Sequence, residues 1–79
     1  MARKKEERLV VSFFTTTEAM EMQDACRAEG MLGRLIPIPR QISAGCGLAW
    51  SEPASNAEAF MDMVERHRLD YEDITTVVL

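Results

Sequence analysis

The stretch Thr15–Gly30, "TTTEAMEMQDACRAEG", decides the fold. Thr15 with Glu18 three residues on is the pattern in which a hydroxyl and a carboxylate satisfy backbone amides at a helix start. Ala19, Met22 and Cys26 then recur at helical spacing with Ala25 beside them. Gly30 supplies the stop, because glycine readily takes the left-handed conformation at which helices end. The spacing predicts a helix over Thr16–Glu29 with Cys26 on its buried face. On the N-terminal side, Arg8–Phe14, "RLVVSFF", is β-branched and aromatic, the composition of a buried strand. Beyond the stop, Met31–Ile36, "MLGRLI", reads as a second, short strand.

Pro37 and Pro39 end that strand, because proline offers no donor to a ladder. They open the loop "PIPRQISAGCG", Pro37–Gly47, after which Cys46–Ser51, "CGLAWS", reads as a third strand with Leu48 and Trp50 on one face. Pro53 and the Ser55/Glu58 pair announce a second helix whose inner face is Ala57, Phe60, Met61 and Val64, closing near His67 or Arg68. Tyr71–Leu79, "YEDITTVVL", is a last β-branched strand. The order is β-α-β-β-α-β, an α+β chain of the ferredoxin-like, split βαβ kind. That topology calls for a four-stranded antiparallel sheet in the order 4-1-3-2, with crossover handedness placing both helices on one face. Residues 8–79 make one domain, and 1–7, with Arg3, Lys4 and Lys5 beside Glu6 and Glu7, a disordered N-terminal tail.

Composition removes several function classes. A chain of 79 residues suits one core, and its 47% apolar and 28% charged content lies outside the range of disordered chains. Thirteen acidic against nine basic residues give a net charge of −4, which opposes approach to a phosphate backbone and argues against nucleic acid. No apolar leader or bilayer-length run is present, so no membrane role and a cytoplasmic location are expected. There the two cysteines remain reduced, and with a single histidine and no CxxC motif neither a structural zinc site nor another resident metal or cofactor is expected.

The topology places the end of strand one, the start of helix one, the end of strand two and the start of strand three at one edge of the sheet. Cys46 therefore falls near the start of helix one, where unpaired amides and the helix dipole favour anions and thiolates. Thr15, Thr16 and Thr17 add hydroxyls there, and Gly45 and Gly47 leave the sulfur accessible. A connection of about ten residues is long for a hairpin, whose loops usually take about 2–5. Arg40 comes within reach of a thiolate or substrate carboxylate if the prolines fold the loop back. The plainer reading is a small buried cysteine and prolines that merely guard a strand.

Cys26 belongs to the core, and His67 complements the dipole at a helix C-terminus. Met20/Met22 and Met61/Met63 are two pairs in which both members cannot face inward, so one of each is expected outside. RNA-recognition domains of this topology stack bases on aromatics of strands one and three, where this chain has Phe13, Phe14 and Trp50. The acidic balance and the missing glycine-aromatic motif oppose that use. A protein partner or a second copy of the chain, giving a homodimer, suits an apolar second face better.

At Leu35–Ala49, "LIPIPRQISAGCGLA", the chain resembles the selenium/sulfur (Se/S) carrier-like family, small domains whose signature resembles LIPxPRxIS..CG. The segment "FFTTTEAM" is similar to that family's opening, and the likeness runs from about Leu9 to Val78. It implies a thiol-carrier role for Cys46, with Pro37, Pro39, Arg40, Ile42, Ser43 and Gly47 at matching positions. In that role Cys46 takes sulfur or selenium as a persulfide or selenosulfide from a donor protein such as a cysteine desulfurase and hands it to an acceptor. Arg40, Ser43, the three threonines and the loop amides, those of Gly45 and Gly47 among them, would steady the anion. No Ser/His/Asp set, paired carboxylates or phosphate loop is evident, so a carrier is expected more than a stand-alone enzyme. The rival is a non-catalytic interaction or dimerisation module that uses the second sheet face and keeps Cys46 structural.

Overall fold

The computed structural model describes residues 6–40, 42 and 46–78. In chain order it holds β1 (Glu7–Ser12), α1 (Thr16–Glu29), β2 (Arg34–Pro37), β3 (Leu48–Pro53), a 3-10 turn (Ala54–Asn56), α2 (Ala57–His67) and β4 (Asp73–Val78). The strands form one antiparallel sheet in the order β2-β3-β1-β4, the α+β arrangement expected from the sequence. Among the described residues no helix is long and apolar enough to cross a membrane.

Alternation along the strands explains why both helices share a face. Leu9 and Val11 from one side of β1 and Phe13 just past its end, with Trp50 of β3, form a single cluster with Ala19, Met22, Ala25 and Cys26 of α1 and Phe60, Met63 and Val64 of α2. Leu35, Leu48 and Ile74 pack against its border. The opposite side of the two central strands carries small residues, Val10, Ser12, Ala49 and Ser51, all buried. Arg8 lies across them, its Nε donating to Ser51 Oγ at 2.9 Å and its Nη2 to the Ser51 carbonyl at 3.2 Å. Phe13 and Trp50 are thus enclosed on the helix side, and neither is displayed on the second face. Phe14, just beyond β1, is 62% exposed.

Helix α1 has the bounds its sequence spacing predicts. Thr15 Oγ1 accepts from the Glu18 amide at 3.2 Å, while Glu18 Oε1 accepts from the Phe14 amide at 2.9 Å, one residue before the cap. Gly30, at φ 72°, closes the helix with its amide toward Arg27 and Cys26. The second helix departs from expectation. Ser55 does not cap it; a 3-10 turn leads in, and Asn56 occupies the cap position without a capping bond. The Asn56 Nδ2 is engaged elsewhere, donating to Glu52 Oε2 at 2.7 Å. On α2, Met63 is fully buried and Met61 only partly so, which moves the inner face away from the Ala57–Met61 side. Of the other methionine pair, Met22 is buried and Met20 is 44% exposed.

The start of β2 shifts because of the carboxylate of Glu52. It is fully buried and accepts from Leu32 N at 3.0 Å, Gly33 N at 3.0 Å, Trp50 Nε1 at 2.9 Å and Asn56 Nδ2 at 2.7 Å. Because Leu32 and Gly33 give their amides to it, β2 begins at Arg34 and not at Met31. Pairing of Leu9 with Glu52 carries β3 past Ser51 to Pro53. A Cβ at Gly33 would collide with the Ser51 carbonyl and stand 2.6 Å from Glu52 Oε1, so only glycine fits there. At the other end β3 starts at Leu48, because Cys46 and Gly47 form a bend and Gly47 stands at φ 78°. β1 includes Glu7, which the sequence reading left in the tail; residues 1–5 and Leu79 lie outside the described residues.

Candidate functional site

The register pairs Ser12 with Ala49, so the start of β3 lies beside the end of β1, at the edge where α1 begins. Cys46 precedes β3 at this edge. It is half-buried, packs against the core cluster, and donates from Sγ to the Leu48 carbonyl at 3.5 Å. Next to it, Gly47 adopts a left-handed conformation that glycine alone enters without strain, and no atom approaches the place of a Cβ there.

The two ends of the proline loop are joined. Ile38 N donates to the Gly47 carbonyl at 3.0 Å, joining the two ends of the loop beyond the last ladder pair, Pro37 with Leu48. Ile42 N donates to the Pro39 carbonyl at 3.0 Å, the bond that closes a β-turn, with exposed Arg40 at its second position. Thr15, Thr16 and Thr17 are exposed at the α1 start. Thr15 spends its acceptor on the Glu18 cap, whereas the amides of Thr16 and Thr17 point out of the helix end as first-turn amides do. Ser43 and Gly45 lie outside the described residues.

The second thiol has a different setting. Cys26 is fully enclosed on α1, and burial, with the nearby Glu52 charge adding to it, pushes its thiol up to about 12. His67, the last residue of α2, contacts Glu29 Oε2 through Nε2 at 2.8 Å. Arg66 beside it clasps both Glu29 oxygens at 3.0 Å and reaches Asp62 Oδ2 at 2.9 Å. Those bonds, Arg66 first and His67 second, hold the Glu29 carboxyl down at about 2. An open groove of about 610 Å³ runs beside this cluster, lined by Glu21, Asp24, Ala28, His67, Arg68 and Asp70 among others. None of the residues singled out in the proline loop or at the α1 start lines it. Among the described residues no group of three or more His, Cys, Asp and Glu is placed to hold a metal.

Sequence reasoning passed over Glu52 and Gly33. Alternation did carry a signal, since Glu52 continues the inward phase of Leu48 and Trp50, but its donors come from three separate segments and no local pattern joins them. Their role is architectural.

An α+β sandwich with one half-exposed thiol at the edge where a helix begins, and a second thiol sealed in its core, is the class of protein that this geometry defines. The family described as "Putative Se/S carrier protein-like" matches residues 8–76, and the chain belongs to that family. No curated protein and no solved structure matches the chain.

Proposed function

We propose that this domain carries sulfur or selenium on Cys46. The observation that supports it most is the contrast between the two thiols in a member of the Se/S carrier family: Cys26 is sealed in the core, while Cys46 stands half-exposed beside the start of α1. In the loading step the Cys46 thiolate attacks the terminal sulfur of a donor protein's cysteine persulfide. A new S–S bond forms as the donor's breaks, and the donor departs as its thiolate. The donor is a protein such as a cysteine desulfurase, and selenium would be held likewise as a selenosulfide.

The surroundings give each neighbour a task. The first-turn amides of α1 and the hydroxyls of Thr15, Thr16 and Thr17 lie at the same sheet edge as Cys46, and this reading assigns them the contacts to a carried anion. Arg40, held on its turn by Pro39, supplies a mobile cation at the loop's outer bend, and Gly47 keeps the approach to sulfur free of a side chain. Ser43 and Gly45 complete the anion contacts of this loop on the strength of the sequence alone. The chemistry is that of a carrier, since the loop holds a nucleophile without a base to turn over a substrate by itself.

Incubation with a cysteine desulfurase and isotopically labelled cysteine tests the proposal. Label bound to the native chain and to Cys26→Ala, absent from Cys46→Ser and released by dithiothreitol, is expected. Equal labelling of folded Cys46→Ser would refute it.

A further inference from the structure

We infer that two copies of this chain join along the outer edge of β4, in an antiparallel pairing about a two-fold axis that makes one continuous eight-stranded sheet. This joint is independent of the carrier reading. β2 and β4 are the outer strands of the sheet, and among the described residues nothing pairs with their outer sides. An outer strand offers its free amides and carbonyls to any strand that comes beside it, and chains blunt the edges they do not use.

The two edges are unlike. In an antiparallel ladder successive residues turn their amide and carbonyl alternately toward and away from the neighbouring strand. Next to β3, the Ile38 amide donates to the Gly47 carbonyl at 3.0 Å, which by alternation turns Arg34, Ile36 and Ile38 inward and Gly33, Leu35 and Pro37 outward. Pro37 has no donor and the Gly33 amide is held by Glu52 Oε1 at 3.0 Å, so from Gly33 to Pro37 only Leu35 keeps an outward amide to give. In β4 the Asp73 carbonyl accepts from Ser12 Oγ at 3.4 Å and so faces β1, while the Ile74 amide donates to Asp73 Oδ1 at 2.9 Å, beside it on the same strand. Alternation then turns Ile74, Thr76 and Val78 outward. Thr76 and Val78 are exposed, and β4 holds no proline, lysine or arginine to guard its edge.

The strand suits a copy of itself. A two-fold axis at Thr76 sets Thr76 against Thr76 of the second copy, Ile74 against Val78 and Thr75 against Val77. Every opposed pair is β-branched and shares a face of the sheet, so both copies keep their helices on the same side, and Val78, 54% exposed in the single chain, gains an apolar neighbour. Joining exchanges the local bond of the Ile74 amide for one across the joint. Charge is compatible as well. Asp73, the one charged residue of β4, and its copy stand at opposite ends of the paired strands, roughly 20 Å apart along them and beyond a screening length of about 8 Å. Because β2 and β4 are at opposite sides of the sheet, the connection from β2 to β3 that carries Cys46 lies away from the joint in each copy.

Sedimentation equilibrium of the full chain, with dithiothreitol present so that no disulfide links the copies, tests this. A reversible monomer–dimer equilibrium is expected, with a dissociation constant on the order of 10–100 µM, as small interfaces give. Thr76→Pro removes an outward donor and none that reaches β1, so it should keep the native circular dichroism and weaken association about tenfold or more. Val78→Lys, which puts a charge on the same edge, should do the same. A native chain that stays monomeric up to about 500 µM would overturn the inference. So would a folded Thr76→Pro or Val78→Lys that associates as tightly as the native chain, since the copies would then meet through another surface.

Discussion

Glu52 is a single carboxylate that ties together three stretches of chain: the end of the α1–β2 connection, the Trp50 indole and the approach to α2. Removing it leaves four neutral donors facing a void, and a buried donor stripped of its partner costs about 1–3 kcal/mol. Glu52→Ala should lose that much in urea unfolding; a loss under about 1 kcal/mol, the worth of one ordinary hydrogen bond, would contradict the assigned role. Gly47 makes a different demand, on backbone alone. Its φ of 78° costs an L-residue about 1–2 kcal/mol although the space around it is open. Gly47→Ala should therefore melt lower by about 4–8 °C for each kcal/mol lost. An unchanged melting temperature would mean that the left-handed bend beside Cys46 is not held. Cys26 was legible as a core residue because its partners sit at helical spacing along one segment. Glu52 was not, because its partners are distant in sequence.

The helix ends and strand edges show the same division between local and distant causes. Both the bounds of α1 and its cap follow from residues within one turn of each end, and they were readable. The start of β2 depends on amides claimed by a carboxylate from β3, and it was not. Arg68 closes α2 in the left-handed conformation at φ 52°, where glycine is at ease and arginine is strained. Arg68→Gly should stabilise the chain by about 1 kcal/mol, seen as a higher melting temperature; a lower one would show that the arginine side chain contributes more than its backbone costs. The Arg66–Glu29–His67 cluster joins the last turns of the two helices. Glu29 has a folded-state pKa lowered from 4.5 to about 2, so its contribution is complete above the unfolded value and is lost as pH falls from 4.5 through 2. Replacing it in Glu29→Gln should flatten the acid limb of the stability profile in that window. An equally steep limb in the variant would remove the cluster from the acid response.

For the molecule as a whole, strand order and the one-sided placement of the helices were legible, because alternation in β1 and β3 and the period of α1 all point to the same layer. The family relation then agrees with the loop motif on which it could be read. What the pattern could not convey is how the second face is finished. Small residues, Val10, Ser12, Ala49 and Ser51, are buried there, and Arg8 reaches across to Ser51. The division of labour between the two thiols is the property on which the functional account stands, and residue-resolved alkylation of the native chain with iodoacetamide measures it directly. Kept protonated by burial and without exposure, Cys26 should label only as the chain unfolds, while Cys46 labels in the folded state. Peptide mapping that finds Cys46 as protected as Cys26, or both thiols modified together only on unfolding, would contradict the account.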